Sequence, residues 1–159
     1  MLSAHPLQLL NLIPYREEDM SIKLQFDTEG VDWAEAVEVF RRAPLGTREP
    51  EKLRRACENS FIVCFAYDGD ALIGMGRAIS DGEYYAGLYD VVVLPEYQGQ
   101  GVGKAIVEAI HERLPVNATT LFSVPGKEPF YQKCGYHRLL TGMIRSNDPE
   151  RLRATGLIE

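Results

Sequence analysis

Residues 98–104, Gln-Gly-Gln-Gly-Val-Gly-Lys, are entered from the apolar run Val91-Val92-Val93-Leu94-Pro95 and continued by Ala105-Ile106-Val107-Glu108-Ala109-Ile110. This order reads as a strand, a turn and the N-terminus of a helix. Successive glycines leave backbone N–H groups uncovered by side chains, and the helix dipole adds partial positive charge at the same point. A turn of this kind is suited to hold a phosphate.

Spacing separates the phosphate-binding patterns that compete for the segment. A nucleoside triphosphate loop needs Gly, four residues, Gly-Lys and then Ser or Thr. With Gly103-Lys104 as the Gly-Lys pair, the first glycine falls on Gln98 and the hydroxyl on Ala105, so that pattern fails. A dinucleotide fingerprint needs Gly-x-Gly-x-x-Gly or Ala early in a βαβ unit. Starting at Gly99 puts Lys104 in the last position, starting at Gly101 puts Ile106 there, and a long stretch of chain precedes both. What remains is Gln-x-x-Gly-x-Gly, realised as Gln98, Gly101 and Gly103.

The surrounding chain reads as alternating strands and helices. Residues 21–26 alternate polar and apolar, as in a half-buried strand. Asp32 can cap a helix whose stripe is Trp33, Ala36, Val37 and Phe40, closed by Pro44 and Gly46, and a second helix spans 50–59 with Leu53, Ala56 and Cys57. Strands are expected at 61–67, 71–79 and 84–94, joined by the turns Asp68-Gly69-Asp70 and Ser80-Asp81-Gly82 into an antiparallel meander. The helix after the glycines runs to about Leu114 before Pro115, and a strand at 119–122 is parallel to its predecessor because a helix joins them. A short helix at 128–134 stops at Gly135, and 136–144 reads as a last strand. Residues 1–20 are expected to be an arm and 146–159 a tail.

One domain of 159 residues is the expectation, with a core at about 20–145. Apolar residues at 45% and charged residues at 25% are ordinary for a soluble protein, and no apolar run nears the roughly eighteen residues of a membrane span. The N-terminus lacks the basic region of a secretory signal. A net charge of -6 argues against a nucleic-acid surface, since Arg41-Arg42 and Arg54-Arg55 are isolated pairs on helix faces. Cys57, Cys64 and Cys134 have no paired spacing and His5, His111 and His137 are scattered, so neither disulfides nor a metal site are expected, and a reducing cytoplasm suits the thiols.

Two motifs, Gln98/Gly101/Gly103 and Pro129-Phe130-Tyr131-Gln132-Lys133-Cys134-Gly135-Tyr136, together resemble the Gcn5-related N-acetyltransferase (GNAT) family. The resemblance implies an α/β (α+β) fold, a mixed and mostly antiparallel sheet with helices on both faces. It implies acetyl-CoA as co-substrate, no metal, and, because members often pair, a homodimer. The strand before the turn would splay from its neighbour and offer the backbone of Val91, Val92 and Val93 to the pantetheine arm. Gln98, Gly99, Gln100, Gly101, Val102, Gly103 and Lys104 would wrap the pyrophosphate, with Lys104 either adding charge or simply solvated.

Tyr131 falls on the tyrosine of the family's Phe-Tyr-x-x-x-Gly-Phe/Tyr element, and a phenol of pKa about 10 is a fitting proton donor to a leaving thiolate. Phe130 is either core or a wall for the cofactor arm. Val124-Pro125 stands where relatives often carry a cofactor-touching Asn, and Gly87 where many carry a catalytic Glu. Asp90, an acid in the mostly uncharged run 88–93, is the substitute base, unless it merely bonds local backbone. Tyr84, Tyr85 and Tyr89 are either pocket lining or ordinary strand aromatics. Cys134 lacks an adjacent base, so direct transfer is expected over an acyl-enzyme.

The run Asp90-Val91-Val92-Val93 with 98–101 is similar to a subgroup of bacterial and plant small-amine acetyltransferases, including serotonin-type enzymes. That implies a primary-amine acceptor, an arylalkylamine in particular. Two other readings stay open: an acetyl-CoA sensor without turnover, and a protein or peptide lysine acetyltransferase.

Overall fold

Asp32 opens the first helix because its Oδ1 accepts from the backbone N–H groups of Ala34 and Glu35 at 2.9 and 3.0 Å, meeting donors that a helix start leaves without partners. The computed structural model describes residues 22–159. They form two compact units, one ending at Thr120 and the other spanning Leu121–Glu159.

The first unit carries β1 (Ile22–Gln25), α1 (Trp33–Arg42), α2 (Pro50–Glu58), β2 (Ile62–Asp68), β3 (Ala71–Ser80), β4 (Tyr85–Val93), α3 (Val102–His111) and β5 (Ala118–Thr120). The sheet order is β1-β2-β3-β4-β5, antiparallel except for the parallel β4–β5 pair. The meander and the parallel crossover thus form as the turn and crossover rules predict. Helix α1 buries Ala36, Val39 and Phe40, so Val39 rather than Val37 completes its inner stripe. Helix α2 starts with Pro50 at its first position and buries Leu53 and Cys57.

Strand periodicity shows which helix covers which face. Phe65 of β2 meets Trp33 of α1 edge to face with ring centres 5.9 Å apart, and pairs across strands with Met75. Gly74 and Gly76 flank Met75 and so point to the other face. A Cβ there would stand 3.2 and 2.8 Å from side-chain carbons of Ile106 in α3. The two helices therefore cover opposite faces, and the bare glycine backbone lets α3 settle close to the sheet. Phe40, Phe65, Ile73, Met75, Ile106 and Ile110 make the fully enclosed centre.

In the second unit α4 (Glu128–Lys133) and α5 (Pro149–Ala154) are the regular elements. Asp148 caps α5, accepting from Arg151 N at 3.1 Å, so the expected tail contains a helix. The strand expected at 136–144 does not form, and Leu139, Leu140 and Met143 are exposed there. Among the described residues this unit holds no other strand, and a lone strand leaves its backbone groups without a ladder. Smaller differences are ends: α3 stops at His111 and β5 covers Ala118–Thr120. The expected arm at 1–20 lies outside the described residues.

Gly74→Ala tests the close approach, because the new Cβ would sit 2.8 Å from the Val92 carbonyl oxygen, a backbone atom with little freedom to yield. Denaturant unfolding should show a loss of about 1–3 kcal/mol, the range for overpacking. Gly142→Ala, whose nearest neighbour is a Leu139 methyl at 3.4 Å, should change little.

Candidate active site

Asp90 has φ +53, the one non-glycine residue with positive φ among those described. It sits where the β3–β4 register slips. Met75 faces Val92 and Arg77 faces Tyr89, so Asp90 and Val91 together oppose Gly76. This is a β-bulge, which bends a strand and re-aims its side chains. The Asp90 side chain, 11% exposed, receives Arg77 Nε on Oδ2 at 2.6 Å and Arg48 Nη2 on Oδ1 at 3.0 Å. Both oxygens are engaged by guanidinium groups, and the charge-assisted bonds hold the bulge in a conformation that side chains otherwise avoid.

Beyond the bulge the strand has one open edge. Strand β5 pairs only with Tyr85, Ala86 and Gly87, so among the described residues no strand lies beside 88–93 on that side. The backbone of Val91, Val92 and Val93, where splay is expected, lies along this edge. An extended chain bearing amides can add to such an edge by main-chain hydrogen bonds.

The edge leads directly into the glycine turn. A short 3-10 turn, Pro95–Tyr97, is tied to β2 by Tyr97 Oη donating to Asp68 Oδ2 at 2.9 Å, and to α1 by Arg42 bonding Glu96 at 2.6 Å. Gln98 Nε2 donates to the Val93 carbonyl at 2.9 Å, and Gln100 Nε2 to the Glu96 carbonyl at 2.6 Å. Gly99 and Gly101 have φ of +75 and +87, values glycine reaches without steric cost. Gly101 caps α3 with no side chain, so the N–H groups of Val102, Gly103 and Lys104 at the helix start are left for another acceptor. An anion fits there by charge and by hydrogen bonding. The ammonium of Lys104 pairs with Glu108 at 3.3 Å along the helix.

Within the second unit Tyr131 of α4 stacks edge to face on Phe130 at 4.9 Å and on Tyr136 at 5.8 Å. Gly135, at φ +85, turns the chain so that Tyr136 N donates to the Tyr131 carbonyl at 3.0 Å. Burial, with a smaller contribution from Cys134, raises the Tyr131 phenol above its ordinary value and keeps it protonated at neutral pH.

The three candidate tyrosines, Tyr84 just before β4 and Tyr85 and Tyr89 within it, separate. Tyr84 and Tyr85 stand in solvent, 69% and 67% exposed, whereas Tyr89 lies beneath Arg77, whose guanidinium carbon is 5.4 Å from its ring centre. Tyr89 also fills the space beside Gly87, where a Cβ would come within 2.7 Å of its ring. A carboxylate at that position and this tyrosine cannot occupy the same place. Arg77 and Arg48 were not singled out in the sequence. Arg77 carried a signal, a charge within the apolar run 71–79, but Arg48 is one loop cation among many and carried none.

The family model described as an acetyltransferase (GNAT) domain matches residues 59–138. The chain belongs to the GNAT family. This GNAT chain is 36% identical over 96 residues to an uncharacterized N-acetyltransferase, ycf52, of Gracilaria tenuistipitata var. liui, the match covering 56% of the chain and 53% of that protein. It is 34% identical over 114 residues to serotonin N-acetyltransferase 2, chloroplastic, of Oryza sativa subsp. japonica, covering 67% and 57%. The chain thus spans little more than half the length of these relatives. Among solved structures, a GNAT-family acetyltransferase from Streptococcus pneumoniae TIGR4 superposes with a TM-score of 0.69 at 27% identity, over 79% of this chain and 98% of that one. An aminoglycoside N-acetyltransferase in complex with CoA shares the fold, with a TM-score of 0.66 at 13% identity over 82% and 97%.

Thiol reactivity separates the three cysteines. Cys57 and Cys64 are buried and desolvation pushes both thiols up to about 12, while Cys134 is only half-buried. With a disulfide-exchange reagent at pH 8, Cys134 should react first in the native protein, and Cys57 and Cys64 only on unfolding.

Proposed function

We propose that the chain transfers an acetyl group from acetyl-CoA directly to a primary amine, with a small arylalkylamine as the favoured acceptor class. The observation that carries this reading is the open β4 edge running into a glycine-capped helix start, a surface shaped for an amide-bearing arm that ends in a pyrophosphate. The CoA bound in a fold-related acetyltransferase supports the donor, and the similarity to the rice serotonin N-acetyltransferase supports the acceptor class.

When bound, acetyl-CoA supplies an activated thioester. Val91, Val92 and Val93 would bond its arm through backbone groups, with Phe130 as a wall. The segment from Gln98 to Lys104 would hold the pyrophosphate, chiefly through N–H groups. Asp90 serves as the anion for the acceptor's ammonium group and takes a proton from its nitrogen. As the C–N bond forms and the C–S bond breaks, the Tyr131 phenol would give its proton to the leaving thiolate, while the nitrogen's second proton passes to water and the tyrosinate is reprotonated from water. No covalent enzyme intermediate enters this sequence.

One observation favours a second reading, an acetyl-CoA sensor. The position that in many relatives bears a catalytic carboxylate is Gly87, and the Tyr89 ring takes up that space. A thiol-release screen over arylalkylamines, polyamines, amino acids and lysine peptides decides between them. Release with a small amine supports transfer, release only with lysine peptides makes the acceptor a protein, and binding of acetyl-CoA with no release throughout supports the sensor.

Tyr131→Phe should lower kcat by about 10²–10⁴-fold, the usual contribution of a general acid, with acetyl-CoA affinity nearly unchanged. Equal losses in both would reduce Tyr131 to a packing role. Because the phenol must be protonated to donate and burial raises its pKa, the alkaline fall in kcat should lie above about pH 10, the ordinary tyrosine value. A pH profile of native and Tyr131→Phe proteins reads this directly.

A further inference from the structure

The protein holds the two partners of Asp90 with unequal firmness. Arg77 lies within a central strand and is 14% exposed. Besides its bond to Oδ2 it donates from Nη1 to Ser60 Oγ at 3.3 Å and lies over the Tyr89 ring. Arg48 comes from the connection between α1 and α2 and is 35% exposed. Its Nη1 donates only to the carbonyl of the adjacent Thr47 at 3.2 Å, and its guanidinium rests over Phe40 at 4.8 Å. One carboxylate faces two cations, an excess of positive charge that repels a protonated amine. A cation bound at Oδ1 in the place of Arg48 displaces it, and the exposure of Arg48 gives it water to leave into.

We propose that Arg48 is an exchangeable placeholder for the acceptor's ammonium group on Asp90 Oδ1, and so a residue that sets how cationic acceptors bind. This inference rests on the transfer reading for the identity of the incoming group. Arg77 retains Oδ2 throughout, so the bulge keeps its shape while Oδ1 changes partner. One charge-assisted hydrogen bond breaks and another forms, and the released guanidinium becomes hydrated. Arg48 acts through Asp90 and is a positioning residue. An acceptor without positive charge gains nothing from the exchange, which makes the site selective for ammonium over neutral groups of similar shape.

Guanidinium-detected NMR on the intact protein, titrated with ethylammonium chloride, reads the exchange without turnover. The Arg48 signals should move with ethylammonium while those of Arg77 stay, and sodium chloride at equal ionic strength should move neither. No response of Arg48, or the same response to sodium chloride, overturns the proposal. Kinetics supply a second readout with an amine from the screen. Arg48→Gln should lower the acceptor KM about fivefold, the scale of a partly exposed ion pair, with a much smaller change in kcat and in the acetyl-CoA KM. Arg48→Lys should restore the native KM. An acceptor KM that is unchanged or raised in Arg48→Gln overturns the proposal. If no amine is acetylated yet ethylammonium still displaces Arg48, the transfer reading fails while the exchange stands.

Discussion

A carboxylate with little access to water is tolerated in a folded chain only when its charge is met, and at Asp90 it is met by two arginines. Left-handed backbone at a residue with a side chain costs about 1–2 kcal/mol. The Arg77 and Arg48 bonds hold that conformation in place. The bulge shifts the β3–β4 register by one residue, and the last two thirds of β4, residues 88–93, have no pairing with β5. The bulge lies between the last residue paired with β5, Gly87, and the glycine turn that opens α3.

Two kinds of glycine support the arrangement. Gly74 and Gly76 admit α3 close to the sheet, where any Cβ would meet Ile106 or the Val92 carbonyl. Gly99 and Gly101 instead take up positive φ and keep side chains away from the helix start. The first pair fixes where the helix lies, and the second decides what its N-terminus can receive. Both are needed for an anion to reach backbone donors that face no side chain.

Much of the architecture was legible because it depends on local physics. Asp32 caps, Pro50 starts and Gly69 turns, each through its own backbone or side-chain chemistry, and the parallel β4–β5 pair follows from a helical crossover. The segment 136–144 misled because a run containing apolar residues becomes a strand only where a partner strand exists, and its unit has none among the described residues. Val37 gave way to Val39 because a helix's inward face is chosen by the sheet beneath it.

By itself the sequence determined the kinds of group available: a glycine turn that can cradle an anion, a tyrosine able to donate a proton, an acid inside an apolar strand. Those are properties of residue type and spacing, and they are carried by the chain however it packs. Tertiary structure alone decided that Asp90 adopts a left-handed backbone, that Arg48 and Arg77 converge on it from 42 and 13 residues away, and that Tyr89 fills the space beside Gly87. Ion pairs across such separations leave no periodicity to read, since they depend on strand register and loop path, which are set only when the core packs.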